Sequence, residues 1–184
     1  MRTDSGRALV NAIKLREYGL ARTNMRKQTV ETKLDAIDRS ILEVLQADAR
    51  LSNVELAARI HLSPSACLRR VKALEDAGVI AQYVALIDPR TVGRHGTSYT
   101  IVNLDKLTQT AMASFEQAVR DLPEILDCFY VAGTNDYLLR FTYRDAEELE
   151  QFHSRVLSSL PGVTRSNSML VLRTVKKTTA LPVD

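Results

Sequence analysis

The chain has 184 residues, 45% apolar and 26% charged side chains, and a formal net charge of +3. That is ordinary for a soluble globular protein and long enough for one large domain or two small ones. No apolar run reaches the ~18 residues needed to span a bilayer, and no signal-type stretch opens the chain, so a cytoplasmic location and no membrane partner are expected.

Cys67 and Cys128 fall in different expected domains, which suits a reducing compartment and offers no disulfide framework. The charge divides unevenly. Residues 1–32 carry +4, residues 33–80 carry 0 and residues 81–184 carry −1. Global charge is therefore weak evidence for a nucleic-acid partner, and local placement must carry that argument.

Residues 1–32 read as a basic N-terminal extension without a sustained helical stripe. Disorder, nonspecific phosphate contact, and a true start at Met25 are all compatible with it. Residues 33–78 form the first expected domain. Asp35 is placed to cap a helix carrying Ile37, Ile41, Leu42, Val44 and Leu45 at helical period, ending at Asp48–Arg50. Ser52 and Glu55 form a capping box for a short second helix, with Val54, Leu56, Ala57 and Ile60 as its expected buried positions. Ser63 and Pro64 open a third helix that runs to Ala77 and stops at Gly78. Three helices with a tight turn between the last two make the helix-turn-helix plan.

Residues 79–96 read as a connection, β-like over Val79–Ile87 and then broken by Asp88-Pro89 and Gly93–Gly96. Residues 97–177 have their own rhythm. Strands are expected at Tyr99–Leu104, Ile125–Ala132, Tyr137–Tyr143 and Val163–Val175. Helices are marked by Met112, Phe115, Val119 and Leu122, and by Leu149, Phe152 and Val156. The order is βαββαβ, the ferredoxin-like split, with residues 178–184 as a tail. The fold class is thus α+β. Such a sheet carries its helices on one face, and an apolar row on the other face would favour pairing of two copies.

On the third helix, Cys67, Leu68, Val71 and Leu74 cluster on one side at about 100° per residue. Ser65, Ala66, Arg69 and Arg70 lie opposite, with Lys72 at the edge. Together with Ser63 at the helix start, these are the candidate DNA-binding residues. Small side chains let a helix approach base edges, an arginine fork fits guanine or phosphate, and lysine fits phosphate. On an isolated helix the same charges would simply solvate an amphipathic face; a capped helix-turn-helix reverses that balance.

The stretches LDAIDRSILEVLQADARLSNVELA (34–57) and LSPSACLRRVKALEDAGVI (62–80) resemble the Lrp/AsnC family of transcription regulators. GTNDYLLRF (133–141) and LPGVTRSNSMLVLRTVK (160–176) resemble that family's effector-binding domain, the RAM-type ferredoxin-like fold. The resemblance implies a regulator of double-stranded DNA that forms homodimers and, in many members, octamers. It also implies an amino-acid effector held near the turn Gly133, Thr134, Asn135, Asp136 and Tyr137. Gly133 permits a tight turn, and Asp136 offers a carboxylate to an ammonium group. Read from the residues alone, the same stretch is an ordinary hairpin turn.

No cofactor or metal is expected, since His61, His95 and His153 are not at ligand spacing with one another or with the cysteines. There is no nucleophile elbow and no phosphate loop. Two alternatives stay open: a haem-pathway decarboxylase-like enzyme on the same two-domain plan, and an amino-acid-binding module without a DNA role.

Overall fold

A computed structural model describes residues 33–183; the expectations about the basic extension lie outside the described residues. The chain falls into two units, one comprising residues 33–83 with 179–183, the other residues 84–178.

The first unit holds three helices: α1 Ala36–Ala47, α2 Asn53–Arg59 and α3 Pro64–Asp76. Each start follows from local chemistry. Asp35 accepts the N–H groups of Ile37 and Asp38, and Asp38 accepts back from Asp35, a capping box. Ser52 and Glu55 form a second box at α2, and Ser63 caps α3 with Pro64 at its first position. Gly78 then takes φ +73 and stops the chain's helical course. Ile41, Leu56, Ala57, Cys67 and Leu74 form the core.

Two expected core positions are corrected. Val54 is 63% exposed and Leu68 57% exposed. Leu68 sits on a flank of α3, where it lines a shallow groove of about 180 Å³ with Leu45, Leu51, Leu56, Val71 and Tyr83. The tail also differs from a plain extension. Gln46 donates to the Leu181 carbonyl at 3.0 Å and accepts from its N–H at 2.6 Å, joining this last stretch of chain to α1.

The second unit opens with a 3-10 turn at Pro89–Val92. It continues as β1 Gly96–Leu104, α4 Gln109–Arg120, β2 Ile125–Tyr130, β3 Tyr137–Tyr143, α5 Ala146–Gln151 and β4 Val163–Leu170. The sheet order is β2-β3-β1-β4 with every neighbouring pair antiparallel. This is the split βαββαβ arrangement expected from the spacing. Val79–Ile87 does not form a strand, because no ladder partner lies beside it among the described residues. β4 ends at Leu170, well before Val175, and β2 ends at Tyr130. The second helix is α-helical only to Gln151, then loosens into a π turn at Phe152–Val156 and a 3-10 turn at Leu157–Ser159.

Alternation gives the sheet two unlike faces. Val102, Leu104, Tyr137, Leu139 and Phe141 point to α4 and the Phe152–Leu160 segment, closing a core with Phe115, Val119, Phe152 and Leu157. A register shift between Ile125 and Asp127 puts Ile125 and Cys128 on that side together, breaking the strict alternation expected of β2. Burial pushes the Cys128 thiol up to about 11. The opposite face carries the row Phe129–Leu138–Ile101 beside the Asp127–Arg140 ion pair.

Gly96 pairs with Tyr143, and a Cβ added to Gly96 would run into the Tyr143 ring. Gly96→Ala is therefore expected to swing the ring off the strand and lower stability by about 1 kcal/mol. Denaturant unfolding of the double-mutant cycle with Tyr143→Ala checks this: the cost of Gly96→Ala should vanish once Tyr143 has been truncated.

Candidate functional site

α3 presents three kinds of surface. Its buried side carries Cys67 and Leu74. Its outward side carries Ser65, Arg69 and Lys72, all exposed and spaced three or four residues apart. Ala66 is half-buried beside them. Ser63 spends its hydroxyl on the cap, accepting the Ala66 N–H at 3.3 Å, and sits 3.3 Å from the Ser65 hydroxyl.

Arg70 is not on that outward side, which corrects the expectation that it is exposed. Its Nη1 donates to Asp35 Oδ2 and Asp38 Oδ1, both at 2.7 Å, and only 29% of its side chain is exposed. The N–H of Asp38, and then the Arg70 guanidinium, hold Asp35 below its ordinary 3.8. The helical wheel sets Arg70 on the outer side and Leu68 on the inner. The structure makes both flank positions, and their neighbours decide the difference. Asn53, at the start of α2, donates from Nδ2 to the Pro64 carbonyl at 2.7 Å.

The turn between β2 and β3 is closed by the Val131 N–H donating to the Asp136 carbonyl. Gly133 takes φ +133, a conformation that L side chains rarely adopt, so glycine is required there. Gly133 and Thr134 are exposed, and Asn135 is half-buried with its Nδ2 on Thr134 Oγ1. Asp136 Oδ2 accepts the Leu104 N–H at 2.8 Å, just past the register shift between β1 and β4. Asn103 Nδ2 donates to the Thr134 carbonyl, tying the turn to the end of β1. Tyr137 is a core residue, 1% exposed, not an outward part of the turn. Its ring lies 4.5 Å from Phe115, and its hydroxyl donates to Glu116 Oε1. Burial and that carboxylate raise its pKa.

Residues 34–81 match the winged helix-turn-helix DNA-binding family, and residues 97–181 match the Lrp/AsnC ligand binding domain. The leucine-responsive regulatory protein of Escherichia coli K12 is 37% identical over 150 residues, covering 82% of this chain and 92% of that protein. The chain belongs to the Lrp/AsnC family of transcriptional regulators. The transcriptional regulator AzlB of Bacillus subtilis is 34% identical over 82% of this chain and 96% of its own length. A Neisseria meningitidis transcriptional regulator solved with L-Met superposes with a TM-score of 0.77 at 43% identity, covering 81% of this chain and 96% of that one. This regulator thus pairs a DNA-binding half with a ligand-binding half. Its membership decides for a DNA-binding regulator over the enzyme and over the binding-only module. Among the described residues, no helix is long and apolar enough to cross a membrane.

Two outcomes are expected from this geometry. Asp136→Ala strips the acceptor from a half-buried N–H and should cost about 1–3 kcal/mol of stability, whereas Asp136→Asn retains an acceptor and should cost less; thermal unfolding of the two variants measures the gap. Because folding lowers the Asp35 pKa, its stabilisation is full above 3.8 and fades as the pH falls below that value. An unfolding series from neutral to about pH 3 should therefore steepen less in Asp35→Asn than in the wild type.

Proposed function

We propose that this regulator reads double-stranded DNA through the Ser65–Arg69–Lys72 stripe of α3, acting as a homodimer. The observation that carries the reading is that stripe: it is outward and basic, and it makes no ion pair among the described residues, on a helix whose start is capped. Arg69 has the fork for guanine or phosphate, Lys72 suits phosphate, and Ser65 and Ala66 are small enough for close approach. Ser63 serves by holding the helix start.

Dimerisation rests on the open sheet face. Phe129 is 51% exposed there, in one row with the half-buried Leu138 and Ile101. Pairing two such faces buries an apolar patch and relates two α3 helices by a two-fold axis, fitting a roughly palindromic site. Octamers would be a further assembly of such dimers.

The effector we assign to the turn is a free amino acid. The Neisseria meningitidis relative was solved with L-Met. Here Asp136 gives one oxygen to the Leu104 N–H and keeps a second for an ammonium group. Exposed Gly133 and Thr134, with the half-buried Asn135 amide, supply polar groups for the carboxylate. Tyr137 then acts from beneath, by supporting the turn.

Arg69→Ala should weaken binding to a recognised duplex by about 1–3 kcal/mol, and Lys72→Ala should lower the salt slope by about one. Retention of no genomic fragment by the wild type would overturn the DNA reading. Sedimentation should find the full chain dimeric or larger, and Phe129→Lys should shift it toward monomer. In a titration with a panel including L-Met, one amino acid should move DNA affinity about tenfold, which needs about 1.4 kcal/mol of differential binding. Asp136→Asn should reduce that response while leaving ligand-free binding unchanged.

A further inference from the structure

The core beneath α3 is small and apolar, built of Ile41, Leu56, Ala57, Cys67 and Leu74. Apolar burial is non-directional. Interdigitation of these side chains sets the packing angle of α3 to within about 15–20°. A helix that reads base edges must be placed to within about 0.5 Å and 10–20°. The finer adjustment comes from directional polar contacts.

Two such contacts join α3 to the other two helices, beside the Tyr83 hydroxyl that donates to Glu75 near the α3 C-terminus. Arg70, near its middle, reaches Asp35 and Asp38 with one nitrogen, at 2.7 Å to each. Those carboxylates are themselves fixed. Asp35 Oδ1 is held by the N–H groups of Ile37 and Asp38, and Asp38 Oδ2 by the N–H of Asp35. The guanidinium is thus anchored to a capping box at the start of α1, not to two mobile side chains. At the other end, Asn53 donates to the Pro64 carbonyl in the first turn of α3. One anchor runs to α1 and the other to α2, so sliding or rotating α3 breaks at least one.

The charges point the same way. Arg70 brings one positive charge to a cluster containing two carboxylates. The cluster is net negative and offers a phosphate no attraction.

We infer that Arg70, held by Asp35 and Asp38 and assisted by Asn53, is a positioning residue that sets how α3 meets DNA and does not itself contact it. This rests on α3 being the reading helix.

The test uses the full chain and two probes: a duplex enriched from random-sequence DNA by the wild type, and an unselected duplex of equal length. Both are titrated across a range of salt. Arg70→Gln and Asp38→Asn should each weaken the selected duplex about tenfold, leave the unselected one nearly unchanged, and keep the salt slope. Combined, they should cost little more than either alone. Arg70→Lys should recover part of the loss, and Asn53→Ala should repeat the pattern. Helicity is recorded for each; if Arg70→Gln unfolds, Arg70→Lys and Asn53→Ala carry the comparison. A salt slope lower by about one in Arg70→Gln makes Arg70 a phosphate contact and overturns the inference. So does tighter binding by Asp38→Asn, the result of simply removing negative charge near phosphates. Unchanged affinity in every variant also overturns it. Failure of the underlying reading looks different: Arg69→Gln would then leave the selected duplex bound as before.

Discussion

Every half-buried backbone N–H must find an acceptor, and this demand organises both units. An unpaired one costs about 1–3 kcal/mol, comparable to a large fraction of a domain's margin of stability. The chain meets the demand with side chains at each α-helix start: Asp35, Ser52, Ser63, Thr108 and Asp145. At the end of β1, Asp136 does the same for Leu104. Side chains that look like ligand-binding groups are therefore first committed to the backbone. Ser63 and Asp136 both follow this rule, and each keeps only its remaining capacity for a ligand.

That competition explains the outward surface of α3. Arg69 and Lys72 are left outward because no carboxylate among the described residues claims them, whereas Arg70 is claimed by the α1 cap. The same carboxylates that start α1 thus orient the neighbouring helix. Local helix formation and tertiary placement share one set of atoms.

In the second unit the central position of β1 has a similar consequence. It pairs with β3 on one side and β4 on the other, so the β2–β3 turn is drawn against the end of β1 through Asn103 and Asp136. A ligand at the turn would act on a place where two strands and a loop already meet. The helices cover one sheet face only, which leaves Phe129 and its row uncovered on the other.

Much of this was legible in the residues themselves. Caps, stops and turns depend on chemistry within three or four positions, so Asp35, Ser52–Glu55, Ser63–Pro64 and Gly78 stand where their types place them. The βαββαβ order is likewise carried by local periodicity, and the family resemblance by contiguous stretches. Flanks, strand ends and burial of single side chains were not legible, because they depend on partners distant in the chain. Arg70 turns inward to carboxylates 32 and 35 residues away. Leu68 and Val54 lie outside the helices' shared core. Val79–Ile87 has the alternation of a strand but no ladder partner among the described residues. Tyr137 sinks against Phe115 and Glu116, so a residue written in a turn motif becomes core. Periodicity names which side chains share a face; only packing between segments decides what each face meets.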